Sequence, residues 1–308
     1  MSKVIVFGSL NMDVSIDCEV MPRAGETVHG SGLLLNPGGK GGNQAVAAAK
    51  MGADVRMVAA LGDDAFGRSL RESLERAGVD CGAVVTDGTH ATGTAVILRS
   101  HGDNRIVVEP GANMLLCGED VERVLDAVAE PGDILLMQFE CDLDAVARAA
   151  TYAHRKGLVV AVNPAPVHDV PEGFWNSVDI LCLNETECER ITGILPTGED
   201  EVERALSACA ELGVATTVLT LGARGSVGAG PDGVVRMGSL AVDAIDTTGA
   251  GDTYLGALVA SLAEGAGLSA SMRLASAAAA LATTGLGAQQ SIPTRADAER
   301  SLEGVRKG

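Results

Sequence analysis

Four short apolar runs in the second half of the chain, at 134–137, 158–162, 180–183 and 217–221, are separated by segments of helical length, among them 143–156 and 199–212. A strand that is apolar at nearly every position has to be covered on both faces. Strands that alternate with helices build a largely parallel sheet with helices on both sides. Val4–Phe7, ending at Gly8, has the same buried character, so the sheet takes a strand from the first residues. An α/β fold is expected. The chain of 308 residues has no repeat, low-complexity tract or obvious linker, and a single domain over residues 1–308 is expected.

Two other pairs of segments keep a different rhythm. Val14, Ile16, Cys18 and Val20 alternate with Ser15, Asp17 and Glu19, the period of a strand with one wet face. After the turn at 22–25, residues 27–35 read as a second extended segment. Residues 94–99 and 105–109 form a similar pair about the turn His101-Gly102-Asp103-Asn104. These four segments are expected to make one small sheet, inserted at about 13–36 and 92–109, that flanks the main body and covers its site.

Aromatic residues are only 2% of the chain, so its core must be built from Val, Leu, Ile and Ala. The formal net charge of −18 argues against a nucleic-acid or anionic-membrane surface, which would need a basic patch. The cysteines at 18, 81, 117, 141, 182, 188 and 209 are scattered and contain no CxxC pair. They fit reduced thiols better than a disulfide framework or a zinc site. The first residues enter a strand without an apolar leader, and no apolar run reads as a membrane span. A cytoplasmic location is expected.

Ligands of open α/β sheets bind beyond the carboxyl ends of the strands. Those ends carry Glu140, Asn163, Asn184 with Glu187, and Thr220. Each alone could be a turn residue or a helix cap; together on one rim they mark a candidate site.

Two glycine-rich stretches carry the chemistry. Residues 37–44, Pro-Gly-Gly-Lys-Gly-Gly-Asn-Gln, run into an alanine-rich helix at 45–50. A Walker phosphate loop needs Ser or Thr after the lysine, where this chain has Gly41. A dinucleotide fingerprint needs GxGxxG directly after the first strand, where this chain has Gly-Ser-Leu-Asn-Met-Asp. Nicotinamide-linked redox chemistry loses support. What remains is a loop whose backbone approaches a small ligand, with Lys40 and Asn43 as donors, or a flexible loop needing glycine for tight turns.

The second stretch, Asp246-Thr247-Thr248-Gly249-Ala250-Gly251-Asp252-Thr253, leads into a helix with Leu255, Leu258 and Leu262 at helical spacing. Its thin loop leaves N–H groups uncovered at a helix start, where unpaired donors and the helix dipole attract a phosphoryl group. Asp252 sits at the mouth of that turn, placed to take a proton from an attacking hydroxyl, or serves only as a cap. A small-residue helix follows at 271–284, ended by Gly285-Leu286-Gly287-Ala288, and a solvated helix at 295–306 closes the chain.

Together these motifs resemble the ribokinase family of sugar kinases, the pfkB group. The resemblance runs over essentially the whole chain. It is carried by Gly8-Ser9-Leu10-Asn11-Met12-Asp13, Pro22-Arg23-Ala24-Gly25-Glu26-Thr27-Val28, the glycine stretch through Val46, and Asn163-Pro164-Ala165-Pro166. Asn184-Glu185-Thr186-Glu187, Thr220-Leu221-Gly222 and residues 246–252 complete it.

The resemblance implies a three-layer ribokinase-like fold and ATP-dependent phosphorylation of D-ribose at O5. Asn11, Asp13, Gly39, Lys40, Gly41, Gly42, Asn43 and Glu140 would then hold the sugar. Asp252 would be the base, and the amides of Gly249, Ala250 and Gly251 the anion hole. Asn184, Thr220, Leu221, Gly222, Ala223, Arg224, Gly225 and Ser276 would line the nucleotide site with Gly251 and Asp252. Asn184 and Glu187 would position Mg2+ through water. A monovalent cation, potassium in the family, would bind around Asp246, Thr248, Ala282, Gly285, Gly287 and Ser291. The small sheet would be the lid and a homodimer contact. Two positions depart from the family pattern: Gly285 stands where a larger residue is common, and Met12 where a small one is usual.

Kinases for 2-deoxyribose, another free sugar, a sugar phosphate or a nucleoside are the nearest alternatives. A nucleoside would want an aromatic shelf for its base, and the lid segments contain no aromatic residue. A non-catalytic sugar sensor would lack the base or the anion-hole glycines, and both are present.

Overall fold

In this computed structural model, which describes residues 2–101 and 103–305, β1 (Val4–Phe7) is buried at every position. Its alternate residues enter two different cores: Val4 and Val6 join one apolar cluster, Ile5 and Phe7 the other. That is the period-two geometry of a strand with helices over both faces. β1 pairs in parallel with β4 (Val55–Gly62) on one side and β8 (Ile134–Gln138) on the other. Beyond β4 lies β5 (Asp80–Asp87). Beyond β8 come β9 (Val159–Asn163), β10 (Ile180–Asn184) and β11 (Thr216–Thr220), all parallel. An antiparallel hairpin of β12 (Ser226–Gly230) and β13 (Gly233–Met237) closes the far edge. Among the described residues this makes a nine-stranded sheet ordered β13-β12-β11-β10-β9-β8-β1-β4-β5.

The helices α1 (Lys40–Lys50), α2 (Ala65–Arg76), α7 (Ala250–Ala263), α8 (Leu268–Ala282) and α9 (Arg295–Val305) pack into the first core. The second core takes α3 (Gly118–Val128), α4 (Leu143–Arg155), α5 (Glu185–Thr192) and α6 (Glu199–Glu211). The expected three-layer α/β architecture is what the chain forms. The four apolar runs are β8 to β11, each displaced by at most one residue. Residue 306, at the end of the expected terminal helix, lies outside the described residues, as does Gly102 in the second lid turn.

The strands β2 (Asn11–Cys18), β3 (Gly30–Gly38), β6 (Gly93–Ser100) and β7 (Asp103–Glu109) form a separate small sheet ordered β3-β2-β6-β7. β3 starts three residues later than expected and runs on through Pro37, which an edge strand tolerates. The alternation expected along β2 is imperfect. Ser15 is buried while Val14 and Ile16 are half-buried, and the register against β3 shifts between Ser15 and Asp17.

The alanine-rich helix also starts earlier than expected, at Lys40, so Gly41 and Gly42 lie in its first turn. Glycine is needed at 41 because a Cβ there would lie 2.6 Å from the backbone of both Gly8 and Ser9. α1 approaches α7 as closely. A Cβ on Gly256 would meet Ala47 Cβ at 2.5 Å and the Gln44 carbonyl oxygen at 2.6 Å. No helix among the described residues is long and apolar enough to cross a membrane.

Gly256→Ala sets a helix-propensity gain of about 1 kcal/mol against an overpacking cost of about 1–3 kcal/mol. The atoms it would meet belong to a helix backbone and a Cβ, which cannot swing aside, so overpacking wins. The variant is expected to lose about 1 kcal/mol net in urea unfolding followed by circular dichroism. An unchanged or raised midpoint would mean that α1 and α7 can separate freely.

Candidate active site

Strands β8 and β9 end in register, with Gln138 beside Asn163, and so do β10 and β11, with Asn184 beside Thr220; between the two pairs the rim steps by two residues, because Val162 pairs with Leu181. The first turn of α7 faces this rim. Between them lies a cleft of about 180 Å³ lined by Lys40, Asn163, Asn184, Glu187, Thr220, Gly249, Gly251 and Asp252, among others.

Asp252 is buried on that first turn. Both its oxygens are met by side chains of α1: Asn43 Nδ2 donates to Oδ2 and Gln44 Nε2 to Oδ1, each at 2.9 Å. The N-cap of α7 is Gly249, held in the left-handed region at φ 74°, and no side chain caps it. Asp252 is therefore not a helix cap. The Ala250 amide donates to Thr247 O at 3.2 Å, whereas the hydrogen bonds at this helix start use none of the amides of Gly249, Gly251 and Asp252. A Cβ on Gly251 would meet nothing within 4 Å, so that side of the turn is open. Uncovered amides at a helix start form a local site for negative charge.

On the small-sheet side, Glu140 accepts from Ser9 Oγ at 2.5 Å and from the Lys40 amide at 3.0 Å. The amides of Gly41 and Gly42 are engaged by Ser9, at 3.3 Å to Oγ and 2.9 Å to its carbonyl, so these glycines shape the site and offer no free donor. Asn11 Oδ1 accepts from Asn113 Nδ2 at 2.8 Å, and Asn113 also accepts from the Leu10 amide at 2.8 Å. Asp13 overlies Gly38, where any side chain would run into its carboxylate. Met12 points away from this group. It is 2% exposed and belongs to the core of α1 and α2, because alternation along β2 turns it from the face of Asn11 and Asp13.

The electrostatics are lopsided. Burial, and then the charges of Glu140 and Asp252, push the Asp13 carboxyl up to about 7 against the pull of Lys40. Burial draws the Lys40 ammonium down, but Asp252, Glu140, Glu187 and Asp13 outweigh it and the net shift is upward. Four carboxylates share one lysine.

Asn184 caps α5 and Glu187 closes a capping box with it. Asn184 Oδ1 accepts from the Glu187 amide at 2.9 Å, and Glu187 accepts from the Asn184 amide at 2.9 Å and from its Nδ2 at 3.0 Å. Asn163 Nδ2 also reaches Glu187, at 3.3 Å. A carboxylate offers about four lone-pair sites, so little of Glu187 is left for direct ligation, and water would have to mediate a metal contact. Burial raises its carboxyl despite the Asn184 amide and Lys40, a cost that a nearby cation would offset. A divalent ion fits here.

Thr220 reaches the cleft, Leu221 is buried, and Gly222–Arg224 form a short 3-10 turn carrying Ala223 and followed by Gly225. The Arg224 guanidinium is already tied down, donating to Thr197 O at 2.7 Å, Pro196 O at 2.5 Å and Glu185 at 2.7 Å. Ser276, on α8, neighbours Tyr254 and is not among the residues that line the cleft.

The residues expected around a monovalent cation come together in one patch. Asp246 accepts from the Thr248 amide at 2.9 Å, its hydroxyl at 2.6 Å, and the Gly287 amide at 3.0 Å. Ser291 Oγ donates to Gly287 O at 2.6 Å, and Thr283 O, next to Ala282, accepts from the Asp246 amide at 3.1 Å. A Cβ on Gly285 would stand 3.0 Å from Ser291 Cβ, so glycine there spares Ser291 a crowded contact. Among the described residues no group of three or more His, Cys, Asp or Glu side chains is arranged to hold a metal. A cation here would rest on one carboxylate and on carbonyl oxygens, a donor set that suits a weakly held monovalent ion.

Ser9, Gln44, Asn113 and Gln138 are parts of this site that the sequence did not single out. Of these, Gln138 carried a signal, as the one polar residue closing an apolar strand.

Comparison with known proteins gives the family. The pfkB family carbohydrate kinase profile matches residues 1–295. The ribokinase of Haemophilus influenzae is 37% identical over 301 residues, 97% of this chain and 97% of that one. The deoxyribokinase of Salmonella typhi is 30% identical over 293 residues, 94% of this chain and 95% of that one. The solved structure of Arabidopsis thaliana ribokinase complexed with ribose and ATP superposes with a TM-score of 0.89 at 30% identity, covering 98% of this chain and 99% of that one. The chain therefore belongs to the pfkB family of carbohydrate kinases and is a sugar-kinase phosphotransferase.

Proposed function

We propose that this enzyme transfers the γ-phosphoryl group of ATP to O5 of D-ribose, with Asp252 as the base. The observation that carries the reading is the buried Asp252 carboxylate, fixed by two side-chain donors at the open first turn of a helix. Similarity to a ribokinase at 37% identity, and to one solved with ribose and ATP, supports the choice of sugar and donor. A 2-deoxyribose kinase is the second reading, supported by the 30% identity to a deoxyribokinase.

Asn11, Asp13, Lys40, Asn43 and Glu140 supply the polar groups that several sugar hydroxyls need. Phosphoryl transfer runs through a loose transition state with charge spread over the phosphoryl oxygens. The uncovered amides at the start of α7, with the helix dipole behind them, stabilise that charge. Each Asp252 oxygen keeps a lone pair beyond its amide donor, and accepts the hydroxyl proton as the bond to phosphorus forms. Magnesium on the phosphates supplies charge neutralisation when bound; Asn184 and Glu187 would hold it through water. The Asp246 patch would hold potassium, and Thr248 joins it to the turn that leads into α7. The small sheet, acting as a lid, would exclude water as a competing acceptor. A cytoplasmic location goes with this chemistry and with the unpaired cysteines.

The deciding measurement is ADP release from Mg-ATP with potassium over ribose, 2-deoxyribose, fructose, adenosine and fructose 6-phosphate, for the wild type and Asp252→Asn. Preference for ribose is expected, with a loss of kcat on the order of 10³ in the variant and little change in sugar KM. Preference for another acceptor would overturn ribose and leave the base standing. Near-wild-type turnover by the variant would remove Asp252 from its role.

Asp13 gives a pH dependence. With its carboxyl raised to about 7 from an ordinary 3.8, it binds a proton below neutrality in the free enzyme. The charged form is the better acceptor for two hydroxyls, so kcat/KM for the sugar is expected to rise between about pH 6 and 8. Asp13→Asn should flatten that rise and lower kcat/KM about 10–100-fold. The stability sign is the opposite. A folded-state value above the unfolded one favours folding below the unfolded value, and that advantage is lost as pH climbs through the folded value. Urea midpoints should therefore favour the variant more at about pH 8 than at about pH 5. Parallel pH profiles for the two proteins would count against Asp13 as the titrating group.

On the same reading a second copy of the chain would dock on the small sheet. Leu33, Leu35, Val96 and Val107 on one face, and Leu34, Ile106 and Val108 on the other, are between 40% and 72% exposed. Contiguous exposed apolar side chains mark an interaction surface. Sedimentation velocity is expected to give a dimer, and Val107→Lys to shift it toward monomer. A wild-type monomer at micromolar concentration would sink the assignment.

A further inference from the structure

Asp252 is held by a line of buried amides that reaches back to the end of β8. Gln44 on α1 and Gln138 at the end of β8 are both wholly buried. Gln44 Nε2 carries two protons. One goes to Asp252 Oδ1 at 2.9 Å and the other to Asn163 Oδ1 at 3.3 Å. Gln44 Oε1 accepts from Gln138 Nε2 at 2.6 Å. That bond sets the orientation of the Gln44 amide, because the flipped amide would aim an oxygen at the Asp252 carboxylate.

Asn163 continues the line, donating from Nδ2 to Cys182 O at 3.2 Å and to Glu187 Oε2 at 3.3 Å. At the other end Gln138 Oε1 is buried without a partner, lodged against Gly8 where any side chain would run into it. A buried acceptor left unpaired costs stability. Here it belongs to the amide whose other end orients Gln44.

We infer that Gln44 is a positioning residue that ties the Asp252 carboxylate to the Glu187 carboxylate through Asn163. The inference rests on the reading of Asp252 as base and of Glu187 as the carboxylate facing the donor's cation. Two consequences follow from the geometry. With both Asp252 oxygens claimed from the α1 side, its remaining lone pairs face the cleft. And Gln44 cannot turn away from Asp252 without also releasing Asn163, so the acceptor-side and donor-side carboxylates are set together. The charged groups that face Asp252 are Lys40 from α1, Asp13 from β2, Glu140 beyond β8 and Glu187 from α5, and none of them changes in the variants below.

Gln44→Met keeps length and removes both donors, while Gln44→Glu keeps shape and puts an oxygen where the donor faced Asp252. Gln44→Met is expected to lower kcat about 10–100-fold with sugar KM changed by no more than about twofold. Gln44→Glu should lower kcat further, although the two side chains are of similar size. Gln44→Met combined with Asn163→Leu, which breaks the same line, should cost much less than the product of the single effects. A residue that merely fills space would give similar Met and Glu variants, with KM and thermal midpoint moving alongside kcat. A folded Gln44→Met enzyme with wild-type kcat, or fully multiplicative effects with Asn163→Leu, would overturn the inference. Should the Gln44 variants not fold, Gln138→Met removes only the orienting donor. A lowered kcat at constant KM there supports the line, and wild-type kcat overturns it. Asp252→Asn measured alongside separates the two failures: an active Asp252→Asn enzyme removes the base reading itself, whereas an inactive one beside an unaffected Gln44→Met removes only the line.

Discussion

Helices α1 and α7 meet with almost nothing between their backbones, and the rest of the site depends on that distance. Gly256 lies against Ala47 and the Gln44 carbonyl, while Gly41 at the start of α1 is pressed against Gly8 and Ser9 at the end of β1. A first turn clamped between a strand end and a second helix carries Asn43 and Gln44 to within 2.9 Å of Asp252. One added carbon at either contact would move that turn by more than a hydrogen bond can stretch. Small residues continue the arrangement through the layer: Ala45, Ala47 and Ala48 on α1, Ala257 and Ala260 on α7, and Ala275, Ala277 and Ala278 on α8 are all buried. The scarcity of aromatic residues is thus the compositional side of a core built for close helix approach.

What could be read in advance follows from which signals are local. β1 and β8 to β11 stand out because strands covered on both faces are apolar at almost every position. β4 and β5 do not. Arg56 interrupts the first, and the second is an edge strand whose exposed Asp80, Gly82 and Thr86 dilute its apolar residues. The glycines around Lys40 read as a loop because glycine costs about 1 kcal/mol in a helix relative to alanine. Contact with Gly8 leaves no room for a side chain, and tertiary structure overrides the propensity. Met12 is a similar case: next to Asn11 and Asp13 in sequence, it is separated from them by the pleat. Asp252, Lys40 and the Asn184–Glu187 pair are legible because each sits in a distinctive local pattern. Gln44 and Asn113 are not, since their meaning comes from partners 208 and 103 positions away.

Charge connects these parts. Asp13, Glu140, Glu187 and Asp252 surround a single lysine, so the cleft by itself repels a polyphosphate. On the sugar-kinase reading such a donor would arrive with cations, and two groups would receive them: Glu187 with Asn184, and the Asp246 patch. Burial works to raise the Asp246 carboxyl, yet Thr248, the Gly287 amide and Arg99 of β6 together hold it below the usual range. A group kept ionised in that way remains available to a cation across the neutral range.

Arg99 also shows that the small sheet and the Asp246 patch are not independent. Asn36, near the end of β3, accepts from Gln290 at 2.9 Å, in the same loop whose Gly287 amide holds Asp246. β2 leaves the main body with Asn11 and Asp13 on it and is laddered to both β3 and β6. On the sugar-kinase reading, closing this sheet buries Asp13 further, and burial is already the largest influence on its carboxyl. Closure without a sugar would therefore either cost the charge or take up a proton, whereas a sugar hydroxyl donating to Asp13 offsets the desolvation. Closure then favours the liganded site, and the carboxylate that makes the site costly to shut is what ties shutting to the presence of the acceptor. Water, which could take the phosphoryl group in its place, fills neither the shape nor the full set of hydrogen bonds, and gains less from that closure.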